Sequence, residues 1–333
     1  MIKSTQKLLR ALLLSIVVGT TLPSCFALSS DKAEKITIAQ YGHFLLYMPL
    51  YVALDKGFFK EQCLDVKIIS TGGDEKTFTA ISSGNAQFGV SDPTFVAIAR
   101  QRGQGGKVVA GIVRRVPFSI ITFNPNIKKI NKPSDFSGYR IATLPAPSTC
   151  YAVMTDILQN NGNPVNAKIV QGAYGTLPAM LKANQADMGM EFEPNVSKLV
   201  QQGAKILYST SGYYGDAAFT GLMVSDQFFS QHSREIQAAV NAIAKAMKYI
   251  HQDFSGTLAV AKQEFPEIDD PTLREAIKRL IKEEASPDSP VLSQEAWDKA
   301  INLRKKIGDL QESGESTSYK SNVDMTFAKN ATR

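Results

Sequence analysis

The chain has 333 residues, 44% of them hydrophobic and 20% charged, with a formal net charge of +6. That length exceeds what one small core needs and suits two lobes sharing a cleft, and the composition excludes a disordered or collagen-like chain. Residues 1–27 hold three of the basic side chains and no acid, and the basic residues elsewhere gather only in pairs such as Arg114-Arg115 and Lys128-Lys129, so a nucleic-acid partner is not expected.

At the start of the chain, Lys3, Lys7 and Arg10 precede an apolar run over 11–18, followed by Gly19-Thr20-Thr21 and Pro23. A basic end before a short apolar run reads as an export signal over 1–27, too short to cross a bilayer as a helix. Two outcomes stay open: cleavage after Ala27, or a lipoprotein box at Leu22-Pro23-Ser24-Cys25 that leaves Cys25 lipidated. Either places the mature protein in the periplasm. Cys25, Cys63 and Cys150 make no disulfide framework. His43, His232 and His251 lack metal-ligand spacing, so neither metal nor cofactor is expected.

From residue 36 onward, short apolar runs alternate with amphipathic ones. Strands are predicted over 36–39, 64–70, 88–90, 107–112 and 118–123, with helices over 48–56, 74–82 and 93–102 between the first four. Single helices between strands imply parallel crossovers and an α/β lobe. After the turn-rich stretch 124–138 the same grammar resumes, without detectable sequence repetition. Strands are expected over 141–143, 168–170, 187–190 and 205–208, and helices over 148–160, 176–184 and 195–202. Beyond 219–224 the pattern turns helical: Ile236, Val240, Ile243, Met247, Ile250 and Phe254 recur at spacings of three and four, one apolar stripe on one long helix. Residues 36–123 with 216–308 form the expected first lobe and 124–215 the second. The crossings are placed near Phe123 and near 213–218, and 309–333 reads as a polar, loosely ordered tail.

Several segments resemble one family. The run 49–66, from Pro49-Leu50-Tyr51-Val52-Ala53 through Lys56-Gly57-Phe58-Phe59 to Leu64-Asp65-Val66, is similar to a signature of periplasmic binding proteins that serve ABC transporters, in the branch for sulfonates, nitrate, taurine and thiamine pyrimidine precursors. The resemblance continues at 80–89, 132–142 and 183–190 with Glu193-Pro194. It implies a bilobal type II binding-protein fold of two mixed sheets flanked by helices, with a hinge and an inter-lobe cleft. It also implies a small-molecule ligand, a membrane permease as partner and no catalysis. A monomer is expected, because closure needs free lobes. Cys63 departs from the family's Gly, a position suited to left-handed backbone.

In open α/β sheets the ligand sits beyond the carboxyl ends of strands, and four such ends are chemically distinctive. Tyr41, Phe44 and Tyr47 follow the first strand and suit a flat cover for a ligand, while His43 reads as a loop residue. Ser91 and Asp92 follow the third, and Ser148 and Thr149 open a later helix. All four sit where backbone N–H groups are free, although capping alone explains such residues. Cys150 beside them reads as a small buried residue. Glu191 and Glu193 follow 187–190, and residues two apart on extended backbone share a side. At about 5 Å and an effective dielectric near 20, one carboxylate opposes an anionic ligand by about 3 kcal/mol. Unless Arg114, Arg115 or Arg140 neutralises the pair, a ligand with a donor nitrogen is favoured. The alternative has one glutamate facing solvent and the other capping the Pro194 helix. Phe118 and Tyr213, near the crossings, complete the candidate set.

The competing class is an enzyme: a fungal thiamine-pyrimidine synthase has this fold, but its cysteine-rich motif is absent here. No Gly-x-Ser-x-Gly elbow occurs, and Gly103-Gln104-Gly105-Gly106-Lys107 is too short for a phosphate loop and precedes a strand. A sensor that presents its ligand to a receptor would carry the same residues as a transport protein.

Overall fold

The computed structural model describes residues 33–160, 164–311 and 314–332. The expected export signal and the Cys25 anchor lie outside them. No helix among the described residues is long and apolar enough to cross a membrane.

Ten strands form two five-stranded mixed sheets. The first runs β2 (Leu64–Ser70), β1 (Glu34–Gln40), β3 (Phe88–Ser91), β10 (Asp216–Ser225), β4 (Gly106–Arg115). The second runs β7 (Lys168–Gln171), β6 (Arg140–Thr143), β8 (Met188–Glu191), β5 (Ser119–Thr122), β9 (Lys205–Ser209). Each begins with three parallel strands whose fourth neighbour is antiparallel and arrives from the other half of the chain. Two mixed sheets of this order, flanked by helices, make a bilobal α/β binding-protein fold. Every residue of β3, β5 and β8 is buried, as strands covered on both faces require.

The strand expected at 118–123 to finish the first lobe instead lies inside the second sheet, between β8 and β9. The first crossing is therefore 116–118, earlier than Phe123. A short apolar run shows that a strand is buried but not which sheet it joins. The return crossing runs through Thr210–Gly215. Around these two passages Arg115 pairs with Asp216 at 3.3 Å and with Glu284 at 2.5 Å, and Arg114 reaches Glu284 at 3.3 Å.

Three further features differ from expectation. The long helix stops at Gln252; Asp253 then caps a second one, Phe254–Glu264, by accepting the Gly256 N–H at 2.8 Å, so Phe254 opens a new helix instead of ending the stripe. Cys63 holds φ 59°, so the left-handed turn survives without glycine. The stretch beyond 309 is not a loose tail. Val323 bridges to Val108, Asn322 and Ala328 are fully buried, and the Thr326–Ala331 helix packs on the Ser233–Gln252 helix. Its few apolar residues are spaced to enter the core, which a mean polarity conceals.

Candidate functional site

The ends of β1, β3, β6 and β8 converge on a cavity of about 50 Å³ between the two sheets. Six aromatic residues line it: Tyr41, Phe44 and Tyr47 from the segment after β1, then Phe118, Phe192 and Phe219. Phe44 is the junction. Its ring lies 5.3 Å from Tyr41, 5.5 Å from Tyr47, 5.2 Å from Phe192 and 5.2 Å from Tyr174, so rings reached from both sheets meet edge to face or tilted. Tyr174 also stacks on Phe192 at 5.8 Å and stays 47% exposed, which puts it at the mouth. Such contacts each add about 0.5–1.5 kcal/mol beyond area burial.

One wall of the cavity is ionic. Asp92, at the end of β3, is buried and uses both oxygens. Oδ1 accepts the Thr94 N–H at 2.9 Å and its hydroxyl at 2.6 Å, while Oδ2 accepts the Thr149 hydroxyl at 2.5 Å and Arg304 Nη2 at 2.7 Å. Arg304, 1% exposed, also donates to Thr94 Oγ1, to Thr149 Oγ1, to the Pro147 carbonyl at 2.8 Å and to Asp309 at 2.7 Å. Its five N–H donors are thereby spent. Asp92 and Thr94 follow a strand of the first sheet, and Pro147 and Thr149 follow β6 of the second. This knot therefore joins the two lobes behind the cavity. A carboxylate and a guanidinium taken out of water are tolerable only when so fully bonded.

Asp74, the first residue of the Asp74–Ser82 helix, lines the same wall. Its Oδ1 accepts the Asp92 N–H at 2.9 Å. Burial, then the neighbouring Asp92 charge, pushes its pKa up to about 7. Ser91 is fully buried beside it. Ser148 lines the cavity and its hydroxyl accepts the Tyr151 N–H at 3.3 Å, a capping bond, while Thr149 is part of the ionic knot. Cys150 also lines the cavity, with its thiol 3.8 Å from the Met190 carbonyl and its pKa driven up by burial.

The two glutamates part company. Glu193 does not face the cavity: it accepts the Ser197 N–H and hydroxyl at 3.0 Å each and pairs with Arg279 Nε at 2.5 Å, capping the Asn195–Gln201 helix. Extended geometry fails there because β8 ends at Glu191 and the chain turns at once. Glu191 is 2% exposed; Oε2 accepts from Phe192 N and Asn195 Nδ2, and Oε1 is buried with no partner among the described residues, so desolvation raises its pKa to about 7. None of the three arginines considered as neutralisers approaches either glutamate, for Arg114 and Arg115 are held at the crossings and Arg140 pairs with Asp187 at 2.9 Å. Arg279 takes that role for Glu193.

Tyr213 is not at the cavity either. It is 37% exposed and packs against Tyr208 and Tyr214, because the Ser211–Tyr214 turn points it outward at the return crossing. His43 stacks on Phe265 at 4.4 Å and meets Glu264 at 3.0 Å, a loop residue tied to the next helix. The cavity thus gathers Tyr41, Phe44, Tyr47, Asp92, Phe118, Ser148 and Thr149 from the expected set and leaves out Glu193 and Tyr213, with Ser91 and Glu191 buried just behind. Sequence reasoning missed Asp74, Phe192, Phe219 and Arg304. Arg304 had a signal: it falls on the buried stripe Trp297, Ala300, Ile301 of the Gln294–Lys306 helix, where a cation needs buried partners.

Comparison with known proteins agrees with the architecture. The family described as NMT1/THI5 like matches residues 46–254. A candidate binding protein of Bacillus subtilis, YtlA, is 23% identical over 297 residues, covering 86% of this chain and 88% of that protein. The formylaminopyrimidine-binding protein of Halalkalibacterium halodurans is 23% identical over 263 residues, covering 76% and 79%. Among solved structures, the ligand-binding component of an ABC-type import system from Staphylococcus aureus superposes with a TM-score of 0.72 at 15% identity, covering 90% of this chain and 99% of that one. With the family match spanning more than half its length, the chain belongs to the NMT1/THI5-like family.

Proposed function

We propose that the protein is an exported solute-binding protein that captures a flat, nitrogen-bearing heteroaromatic ligand, of the aminopyrimidine class, and hands it to an ABC importer. The observation that carries this reading is the composition of the cleft: six aromatic residues, two carboxyls and hydroxyls line it, and no Lys, Arg or His is among the described lining residues. Rings in two lobes suit the faces of a planar ligand. A bare sulfonate or nitrate would face two buried carboxyls with no cation to spare, since Arg304 is fully committed. The formylaminopyrimidine-binding relative supports the same class.

A cavity of about 50 Å³ has room for only a few waters, at roughly 10–15 Å³ of accessible space for each. Ligand entry then requires the lobes to part, and contacts to both sheets favour their closure afterwards. Catalysis is not part of this reading: the cavity's one thiol, Cys150, is held protonated by burial, which makes it a poor nucleophile.

The test is a thermal-shift screen of residues 28–333, refolded from denaturant to strip bound ligand. The panel holds 4-amino-2-methylpyrimidine, taurine, an alkanesulfonate and nitrate. A compound at a hundred times its dissociation constant adds about 2.7 kcal/mol. A shift with the aminopyrimidine, with the compound recovered unchanged, is expected. A shift with nitrate or simple sulfonates alone overturns the ligand class, and conversion of the compound overturns the non-catalytic reading.

A further inference from the structure

We infer that Asp74 is the residue that selects the ligand, accepting an N–H from an amino group on the heteroaromatic ring. The inference rests on the proposed ligand class and narrows it to rings with an exocyclic donor.

Three charged groups gather at or just behind the wall, and two of them have no bonding capacity left. A carboxylate offers about four acceptor positions, and a guanidinium five donors. Asp92 is filled by Thr94, Thr149 and Arg304, and Arg304 by Asp92, Asp309, Thr94, Thr149 and the Pro147 carbonyl. Asp74 is different. It is 8% exposed, it borders the cavity, it accepts the Asp92 N–H at Oδ1 at 2.9 Å, and the Ser91 hydroxyl lies beside it, which leaves part of its acceptor capacity unspent. Asp74 shares the cavity wall with Tyr41, Tyr47 and Asp92.

A carboxyl buried beside a second acid, with acceptor capacity unspent, is costly to the empty protein. A ligand N–H placed there replaces the lost solvation, whereas a ring carbonyl or an anion meets two carboxyl groups. The carboxylate form of Asp74 therefore favours an amino ring over isosteres that lack the donor. This is the strong form of discrimination, because the wrong ligand leaves a buried polar group unpaired.

The experiment compares 4-amino-2-methylpyrimidine with 2,4-dimethylpyrimidine, which replaces the donor by a methyl group of similar size. Calorimetric titration is run on the wild type, Asp74→Asn and Asp74→Ser, each first checked for cooperative unfolding without ligand. Both substitutions keep an oxygen for the Asp92 N–H. The wild type is expected to prefer the amino compound at least tenfold. Both variants should lose that preference while binding the dimethyl compound within about threefold of wild type. Retained preference in either folded variant, equal weakening of both compounds, or no preference in the wild type overturns the role of Asp74 and leaves the heteroaromatic reading standing. Failure of the wild type to bind either compound overturns both.

Discussion

The two lobes repeat one design with different chemistry at the same place. Residues 86–91 and 186–191 are offset by one hundred, and each contains the third parallel strand of its sheet, Phe88–Ser91 and Met188–Glu191, with a glycine at its second position. Gln87 Oε1 accepts the Thr37 N–H at 2.8 Å, and Asp187 Oδ2 accepts the Arg140 N–H at 2.7 Å, each securing the neighbouring strand. Then the pair diverges. Where the first lobe ends in Ser91-Asp92, the second ends in Glu191-Phe192. Asp92 anchors an ionic knot and Phe192 an aromatic wall. Sheet topology thus fixes where the cavity's side chains emerge, and each lobe supplies a different part of the wall.

The comparison can be broken most forcefully at Arg304. Replacing it by Met leaves Asp92 buried and unpaired, and should cost about 3–5 kcal/mol; urea unfolding measures it. Adding Asp92→Asn should recover part of that loss, and a double-mutant deficit equal to the sum of the singles would show that the knot is not a unit.

The second expected effect is a pH dependence shared by the lobes. Asp74 and Glu191 both titrate near 7 in the folded protein, raised from the ordinary carboxyl range by burial. The folded state then binds more protons than the unfolded one, so stability present below about pH 4 is lost as pH rises through 7. Ligand-free protein should lose on the order of 3–4 kcal/mol per group between pH 4 and pH 8. Asp74→Asn and Glu191→Gln should each flatten the profile. An unchanged slope in both would mean that neither carboxyl is desolvated as the geometry indicates.

A smaller effect belongs to the mouth. Tyr174→Leu removes the stack on Phe192 and should weaken ligand binding by about 1 kcal/mol with little change in ligand-free stability, because Tyr174 is half exposed. The smallest is Asp187→Gln, which gives the second lobe the first lobe's side chain. It retains an acceptor for the Arg140 N–H and loses a partly exposed ion pair, so less than about 1 kcal/mol is expected. A larger loss would mean that the two strand junctions are not interchangeable.

Much of this organisation was legible from residue order. The alternation of runs revealed two α/β units, and the strand ends marked Tyr41, Phe44, Tyr47, Asp92, Ser148 and Thr149, all of which line the cavity. What was illegible depended on tertiary partners. The run 118–123 shows burial but not its sheet, so the first crossing was misplaced. Spacing put Glu191 and Glu193 on one side, yet a strand end and the distant Arg279 separate them. Asp74 looked like an ordinary helix start until the fold set it beside Asp92.

Trp297 is the chain's single tryptophan. It is fully buried, donates its indole N–H to the Thr317 carbonyl at 3.0 Å, and stands seven residues before Arg304 in the same helix. Seven residues are close to two full turns, so indole and guanidinium share a helix face. If the lobes part as proposed, Arg304's bonds to Pro147 and Thr149 must break, at the same face of the helix that holds the tryptophan. On the proposed function, the protein carries an intrinsic optical gauge: its ultraviolet emission, without any attached dye, should shift when the ligand binds.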